Sequence, residues 1–201
     1  MKLPVHVAVV GGSGSGKTWL AEKLAAALAP RAARLSLDDF YRDLSALPPT
    51  ERGQVNFDDP AAIDWGKFHE AIGAMRVGEN IDLPVYDFAT HTRDKSARIF
   101  SPPPLLVWDG LWLLYQDRLC EKFALTIFVD CSPEERLRRR SERDIRERGR
   151  NFESVRCQFF EHVQPMHEQF VEPQRPRAAH IIASPASSAE VDCLVHKMLQ
   201  L

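Results

Sequence analysis

Short apolar runs alternate along the chain with longer stretches in which apolar residues recur every three or four positions. The runs have the length of buried strands, and the periodic stretches have the spacing of one helix face. Strands that alternate with helices in this way usually form a parallel sheet with helices on both faces. The pattern therefore predicts an α/β fold in three layers around a five-stranded parallel sheet. The five runs occupy positions 5–10, 32–37, 105–109, 125–130 and 179–183.

Apolar residues at helical spacing predict four helices. In the second of them, Asp59 is the expected N-cap and Pro60 the first helical residue, and the helix ends at Gly78. Pro165 is expected to bend the third helix. Residues 42–57 have few periodic apolar positions and are predicted to form a loop. The apolar stripes of the four helices run through Leu20–Leu28, Ile63–Met75, Val155–Phe170 and Val191–Met198.

One segment interrupts the alternation of strands and helices. Leu83–Phe88 and Ala97–Phe100 alternate like the two strands of a hairpin, with residues 89–95 between them. Loops on a rigid scaffold often carry recognition groups, so this insertion is predicted to be a substrate flap. A single loop histidine fits a solvated side chain equally well. The groups that the flap would present are Tyr86, His91 and Arg93.

The first apolar run leads directly into a sequence that fits G-x-x-x-x-G-K-[ST] at every fixed position, and a helix pattern follows it. Glycines let successive backbone N–H groups point inward around phosphate oxygens. Lys17 would add a positive charge at the β- and γ-phosphates, and the Thr18 hydroxyl would bind Mg²⁺. The motif predicts a P-loop NTPase fold, but it does not distinguish transfer, hydrolysis and sensing of the phosphate. Its residues are Gly11, Gly12, Ser13, Gly14, Ser15, Gly16, Lys17 and Thr18.

Acidic residues stand where two predicted strands end, with Asp38 and Asp39 after the second run and Asp109 as the last residue of the third. Ligands of open α/β sheets lie outside the carboxyl ends of the strands, so these side chains face the same crevice as the phosphate loop. Asp109 is predicted to hold Mg²⁺ or its water opposite Thr18. One of the first two acids could instead cap a turn. Asp58 has no structural role in the pattern and is available for a ligand.

Ser132 and Glu135 have capping-box spacing and predict a helix start, after which eight arginines lie between positions 136 and 150. Some of these arginines have an acid four positions earlier and are predicted to pair with it. These pairs are Glu134–Arg138, Glu135–Arg139, Glu142–Arg146 and Asp144–Arg148. The others have no such acid, and the first three of them share one helix face, which predicts a clamp over a transferring phosphoryl group. They are Arg136, Arg140, Arg143 and Arg150.

The chain has 201 residues, of which 44% are hydrophobic and 27% charged, and this suits one domain with a substantial core. We predict a single domain over 1–201, with the insertion at 80–100 and a lid at 132–152. The net charge of −2 provides no basic field, so no nucleic-acid partner is expected. The four cysteines are far apart, and no apolar run approaches the length of a membrane span. We expect a cytoplasmic protein with reduced thiols and no membrane contact.

Together, these features resemble the uridine kinase family of P-loop kinases from about Val7 to Ile182. Each motif is short, but their joint occurrence in the family's order is far more specific than any one of them. They are GGSGSGKT at 11–18, DDFYRDL at 38–44, NFD at 56–58, PVYDF at 84–88, HTR at 91–93, RDI at 143–145, ERGR at 147–150 and QPMH at 164–167.

The resemblance implies ATP-dependent phosphorylation of a pyrimidine ribonucleoside, uridine and also cytidine, at its 5′-hydroxyl, as in pyrimidine salvage. ATP would be the donor, with Mg²⁺ and Lys17 neutralising its phosphates, and Asp38 would be the general base. Arg143 and Arg148 match the family's lid arginines near the phosphates, which overrides the pairing of Arg148 given above. The family also suggests a homo-oligomer. The positions that match residues holding the sugar and base are Asp58, Tyr86, His91, Arg140, Arg150 and Gln158.

The chain departs from the family's pattern in four places. Asp109 precedes Gly110 where the family usually has Glu-Gly, and Asp39 replaces a small polar residue. His180 replaces a frequent acid, and the tail from Ser184 lacks the usual Gly/Asn-containing segment. These differences bear on nucleoside identity and tail contacts more than on the reaction.

Two alternative functions fit the phosphate loop. Another small-molecule kinase, of the nicotinamide riboside kinase or phosphoribulokinase type, is compatible with the acids at 38–39 and 109. Residues 86–93 and 148–150 favour a uridine kinase instead. A non-catalytic nucleotide-binding regulatory module would not need a nucleoside flap, and the chain has no Asn-Lys-x-Asp motif for reading guanine.

Overall fold

The computed structural model describes residues 3–94 and 98–201, except for the side chain of Arg148. Nine strands occur in these residues, namely β1 (Val5–Gly11), β2 (Ala32–Ser36), β3 (Ile81–Leu83), β4 (Tyr86–Asp87), β5 (Thr92–Arg93), β6 (Arg98–Phe100), β7 (Leu105–Gly110), β8 (Leu125–Asp130) and β9 (His180–Ala183). Five of them form one sheet in the order β2-β7-β1-β8-β9, and every neighbouring pair is parallel. The predicted five-stranded parallel sheet is confirmed.

A helix or a helical turn follows each of the five strands of this sheet. The helices are α1 (Lys17–Ala27), α2 (Pro49–Arg52), α3 (Trp65–Arg76), α4 (Asp117–Cys120), α5 (Pro133–Arg148), α6 (Phe152–Gln158), α7 (Gln164–Met166) and α8 (Ser188–Leu199). Short 3-10 segments occupy Leu37–Phe40, Pro60–Ala62 and Glu172–Arg177. Pro165 lies in α7, between π-helical segments at Phe159–Val163 and His167–Val171. No helix in the described residues is long and apolar enough to cross a lipid bilayer.

The sheet is covered on both faces, because successive side chains of each strand point to opposite sides. On one side, Val7 and Val9 of β1 pack in a cluster with α1 and α8. On the other, Ala8 and Val10 pack with Trp108 of β7 and with the buried face of α3. All five side chains are fully buried, and burial of a valine contributes roughly 1.5–3 kcal/mol. The predicted three-layer arrangement is confirmed.

The helix predicted to start at Pro60 begins five residues later. Asp59 does act as a cap, accepting a hydrogen bond from the Ala61 N–H at 2.7 Å, but the turn that it starts ends at Ala62. Ile63 is extended and fully buried, and Asp64 then caps α3 by accepting from the Lys67 N–H at 3.2 Å. The buried, extended Ile63 therefore separates a short 3-10 turn from α3, where one continuous helix was predicted. The predicted loop at 42–57 likewise contains the single turn α2.

The single hairpin predicted within 80–100 is wrong in detail, because two antiparallel strand pairs form there. β3 pairs with β6, and β4 pairs separately with β5, so Thr92–Arg93 is a strand and not part of a loop. Pro84 lies between β3 and β4, and proline has no N–H with which to continue a ladder. In the turn between β4 and β5, the Asp87 carboxylate accepts a hydrogen bond from the Ala89 N–H at 2.8 Å. Ala97, the predicted start of the last strand, lies outside the described residues.

Candidate active site

The phosphate loop, residues 11–18, connects β1 to α1 at the carboxyl edge of the sheet. Gly14 and Gly16 have φ angles of 79° and 91°, in the left-handed region that favours glycine. A Cβ atom on Gly14 would also collide with the carbonyl oxygen of Arg136. The loop therefore requires glycine in order to turn its N–H groups inward and present the N-terminus of α1 to an anion.

Lys17 is the first residue of α1, and its side chain is buried beside the loop. The ammonium lies 3.4 Å from the carbonyl oxygen of Gly12. Burial lowers the pKa of Lys17, and the carboxylates of Asp38 and Asp109 oppose that change. A positive charge held among inward N–H groups can bind phosphate oxygens.

Asp38 and Asp39 lie in the 3-10 turn that follows β2, and neither caps it. Ser36 is the cap, since its hydroxyl accepts from the Asp38 N–H at 3.2 Å. Oδ1 of Asp38 is buried without a hydrogen-bond partner among the described residues. Burial raises the pKa of Asp38, while Lys17 opposes the rise. Burial and the neighbouring Asp38 raise the pKa of Asp39 to about 6.

Asp109 stands near the end of β7 with its carboxylate directed at the phosphate loop. Its Oδ2 accepts a hydrogen bond from the Thr18 hydroxyl at 2.7 Å, so the two residues predicted to bind metal are in contact. Its Oδ1 accepts from Nε of Arg34, also at 2.7 Å. Only 3% of the Asp109 side chain is exposed. Sequence patterns gave no reason to connect Arg34 with this site, because it lies on a different strand.

The donor atoms at this point suit Mg²⁺ bound together with a phosphate chain. Mg²⁺ prefers oxygen ligands and is usually held by one or two carboxylates plus substrate phosphates and water. Thr18 and Asp109 supply such oxygens next to the loop. No cluster of three or more His, Cys, Asp or Glu ligands was found in residues 3–94 and 98–201. The Thr18 and Asp109 oxygens fit a metal whose other ligands are phosphate and water oxygens.

A cavity of about 920 Å³ opens from the phosphate loop. Ser13 and Lys17 of the loop line one end, and Asp38 lines the wall beside them. All six residues matched to sugar and base binding also line this cavity, together with Arg143. Those seven are Asp58, Tyr86, His91, Arg140, Arg143, Arg150 and Gln158. Thus one continuous space adjoins both the phosphate loop and the residues of the flap and α5.

Aromatic side chains form another part of the cavity wall. The rings of His91 and Phe57 are stacked, with centroids 4.4 Å apart and planes 17° apart. The Tyr41 hydroxyl donates to the Phe57 carbonyl oxygen at 2.9 Å, and the Tyr41 ring packs against Tyr86. We did not predict Phe57 or Tyr41 as site residues. Their position next to Asp58 and Asp39–Phe40 in short motifs was the signal that could have identified them.

Tyr86 and Arg93, both predicted to face a substrate, have different surroundings. Burial raises the pKa of Tyr86 to about 12, and its hydroxyl has no hydrogen-bond partner among the residues described. Arg93 instead donates to Asp64 Oδ2 at 3.0 Å and to the Phe40 carbonyl oxygen at 3.1 Å. Arg93 therefore fastens the insertion to the start of α3 and does not line the cavity.

Arg140 links the two ends of the cavity. One guanidinium nitrogen donates to the Ser13 hydroxyl of the phosphate loop at 2.7 Å, and another donates to the Gln158 side-chain oxygen at 3.0 Å. The same oxygen accepts from Arg150 at 2.5 Å. The Asp58 carboxylate lies 3.7 Å from Arg140. These residues form one polar network between α5, α6 and the loop.

Asp144 is a fully buried carboxylate that collects the arginines of α5. It accepts from Arg143 at 2.8 Å and lies 3.6 Å from Arg140 and 3.8 Å from Arg150. The side chain of Arg148, its predicted partner, lies outside the described residues. Three of the four arginines predicted to be unpaired therefore share this one carboxylate.

Other pairs on α5 differ from those predicted. Arg139 does pair with Glu135, at 2.7 Å. Arg138 bridges Glu135 and Glu142 instead of meeting Glu134. Arg146 pairs with its neighbour Glu147 at 2.5 Å. Positions three and four apart on a helix both bring side chains together, so Arg138 can reach Glu135 as well as Glu142.

Arg136 is not part of the predicted clamp, because it turns beneath the phosphate loop. Its side chain is buried, donates to Gln164 at 2.5 Å and lies over the Phe159 ring at 5.5 Å. A Cβ atom on Gly12 would lie 2.8 Å from its Nη1. Arg136 therefore packs against the loop and is not among the residues that line the cavity.

A phosphate loop at the edge of a parallel sheet, with carboxylates and arginines around one cavity, defines a P-loop protein of the kinase class. Phosphoribulokinase from Rhodobacter spheroides superposes with a TM-score of 0.68 at 16% identity, covering 90% of this chain and 70% of that one, which shows a shared fold. Residues 6–190 match the model of the Phosphoribulokinase / Uridine kinase family. The chain belongs to this family.

Two relatives match over most of their length. A protein named uridine kinase from Deinococcus deserti is 41% identical over 180 residues, covering 89% of this chain and 87% of the relative. Another of that name, from Halobacterium salinarum, is 36% identical over 192 residues, covering 96% of this chain and 85% of the relative.

Proposed function

We propose that this protein transfers the γ-phosphate of ATP to the 5′-hydroxyl of a pyrimidine ribonucleoside, uridine and also cytidine, giving the nucleoside monophosphate for pyrimidine salvage. The observation that carries the proposal is the single cavity that Lys17 of the phosphate loop, Asp38 and the aromatic wall line together. The relatives named uridine kinase support the choice of acceptor. Membership of a P-loop kinase family implies ATP as the donor.

Asp38 is the group placed to receive the acceptor's proton. Phosphoryl transfer needs alignment and charge stabilisation more than covalent help from the protein. Oδ1 of Asp38 is buried and unpartnered among the described residues, and the carboxylate is close enough to Lys17 for each to influence the other's pKa. It would orient the 5′-hydroxyl and accept its proton.

The donor phosphates bind at the loop. Lys17 and the backbone N–H groups of residues 11–18 would hold phosphate oxygens. Thr18 and Asp109 would hold Mg²⁺ or its water, and the bound ion would neutralise phosphate charge. Arg143 lines the cavity with 36% of its side chain exposed, so it can close over the γ-phosphate and exclude water. Arg148 takes the same role by its match to the family pattern. In this proposal residues 132–152 form the lid of a single domain.

The acceptor binds at the aromatic wall and the polar network. Asp58, Arg140, Arg150 and Gln158 would hold ribose hydroxyls and polar base atoms. The second strand pair of the insertion brings Tyr86 and His91 to the base, which is the role expected of a substrate flap within 80–100.

A panel of acceptors with ATP or GTP as donor tests this function. The panel contains uridine, cytidine, adenosine, nicotinamide riboside and ribulose 5-phosphate, and both nucleoside diphosphate release and the phosphorylated product are measured. Uridine and cytidine should give 5′-monophosphates at the highest kcat/KM. Turnover of nicotinamide riboside or ribulose 5-phosphate instead would identify another kinase of the superfamily. ATP binding without turnover of any acceptor would identify a regulatory module.

A further inference from the structure

Arg34 is a partly exposed arginine in β2, one of the two edge strands of the central sheet. In the register of β2 and β7 it pairs with Val107, two residues before Asp109. Alternate residues of a strand share a face, so the Arg34 and Asp109 side chains project from the same side of the sheet. The guanidinium therefore reaches diagonally along β7 to the carboxylate.

Both carboxylate oxygens of Asp109 already accept a hydrogen bond. Oδ1 accepts from Arg34 and Oδ2 accepts from the Thr18 hydroxyl, each at 2.7 Å. The Arg34 contact is also an ion pair, and the carboxylate is almost wholly shielded from water. Charge-assisted hydrogen bonds of this length are strong and fix the direction of both groups.

In this arrangement Thr18 and Asp109 differ in how each can bind a cation. The Thr18 hydroxyl directs its hydrogen at Asp109, so its lone pairs remain available to a cation. Asp109 shares its charge with a guanidinium and has less to offer a cation directly. It is suited to hold a water molecule of the cation, and Mg²⁺ keeps several waters when it binds to proteins.

We propose that Arg34 is a positioning residue, which holds Asp109 against Thr18 and offsets its charge so that a divalent cation binds here together with nucleotide phosphates and only weakly without them. The inference rests on the proposed function, because it concerns the metal that accompanies the phosphate donor. It assigns to β2 a role in metal binding that the phosphate-loop motif does not contain.

Mn²⁺ binding to the nucleotide-free protein tests the inference, with free Mn²⁺ measured by its electron paramagnetic resonance signal. Arg34→Gln removes a positive charge within a few ångströms of the site, and Mn²⁺ should then bind about tenfold more tightly than to the unaltered protein. A non-hydrolysable ATP analogue should tighten Mn²⁺ binding less in this variant. Thermal unfolding establishes that each variant is folded.

Three further variants separate charge at this site from other effects. Arg34→Lys keeps the charge and should retain nearly unaltered Mn²⁺ affinity. Arg31→Gln removes an exposed arginine just before β2 and should change nothing. Combining Arg34→Gln with Asp109→Asn should abolish the tenfold gain, because the carboxylate whose charge was offset is then absent.

Several results would overturn the inference. They are an unchanged or unmeasurable Mn²⁺ affinity in Arg34→Gln, an equal gain in Arg31→Gln, and a gain that persists beside Asp109→Asn. The measurement needs neither acceptor nor turnover. Failure of the nucleoside kinase activity would therefore leave the Mn²⁺ result interpretable, and failure of the Mn²⁺ effect would leave the activity standing.

Discussion

The phosphate loop takes its binding groups from eight consecutive residues, whereas the aromatic wall and polar network of the cavity gather side chains from segments far apart in the chain. Gly14 and Gly16 shape the loop through their φ angles. In the wall and network, His91 stacks on Phe57, and Gln158 joins Arg140 to Arg150. The first region depends on local backbone geometry and the second on the whole fold.

This difference separates the consequences of substitution. Changes in the loop should weaken ATP binding whichever acceptor is used. Changes in the aromatic wall should weaken acceptor use and leave ATP binding intact. Asp38 lies between the two regions, so its replacement should slow the reaction without preventing either substrate from binding.

The largest expected effect is that of Asp38→Asn. Loss of a positioned general base commonly costs about 10²- to 10⁴-fold in rate, and we expect a fall in kcat of this size with ATP affinity retained. Steady-state kinetics and ATP titration measure the two quantities. Asp39→Asn is the matched control and should retain most activity. Near-normal turnover in Asp38→Asn, with a large loss in Asp39→Asn, would move the role to Asp39.

Asp144→Asn should destabilise the arginine network of α5. Removing the charge of a buried carboxylate among arginines commonly costs about 3 kcal/mol, because positive charge is left uncompensated. Urea unfolding gives the change in free energy. Glu142→Gln, which removes an exposed acid paired with Arg138, should cost under about 0.5 kcal/mol. Equal costs for the two variants would show that Asp144 does not organise this network.

Gly14→Ala should lower ATP affinity by about tenfold or more. The left-handed backbone costs a non-glycine residue roughly 1–2 kcal/mol, and the added Cβ would meet the Arg136 carbonyl, so the loop must deform. Gly73→Ala is the control, because Gly73 lies in α3 with open space around it. Unchanged ATP binding in Gly14→Ala would show that the phosphate loop does not depend on its backbone geometry more than the aromatic wall does.

His91→Ala should raise the KM for the nucleoside several-fold and leave the KM for ATP nearly unchanged. Aromatic pairing contributes roughly 0.5–1.5 kcal/mol beyond area burial, and the substitution removes the ring stacked on Phe57. His162→Ala, on an exposed segment outside the cavity lining, should change neither constant. Equal increases in both Michaelis constants would contradict a role confined to the acceptor.

The elements that sequence patterns predicted well are those determined by nearby residues. The strand-loop-helix order around Lys17 and the continuous burial of β1 follow from contiguous sequence. The start of α3 could not be predicted from contiguous sequence. Asp59 and Pro60 favour a helix start, but burial of Ile63 in the core keeps that residue extended. The two strand pairs of the insertion were not predicted. Pro84 interrupts a ladder only where its missing N–H would have bonded to a neighbouring strand, and the sequence does not show which strand that is.

Partners from distant segments account for the remaining differences at the site. Arg136 and Arg140 lie one turn apart on α5, yet one reaches Gln164 and the other reaches Ser13 and Gln158. Spacing within one helix cannot reveal such partners. Arg34 was missed for the same reason, since its contact with Asp109 exists only after two strands pair. The homo-oligomer, the absence of nucleic-acid partners and the cytoplasmic location stay predictions.

Binding of uridine joined at its 5′-oxygen to adenosine through a tetraphosphate tests most directly whether one cavity holds both substrates. Calorimetry should show that this compound binds more tightly than ATP or uridine alone. Gly14→Ala and His91→Ala should each weaken its binding, because each alters one end of the cavity. Affinity no better than that of ATP, with no effect of His91→Ala, would show that the flap is not the acceptor's binding site.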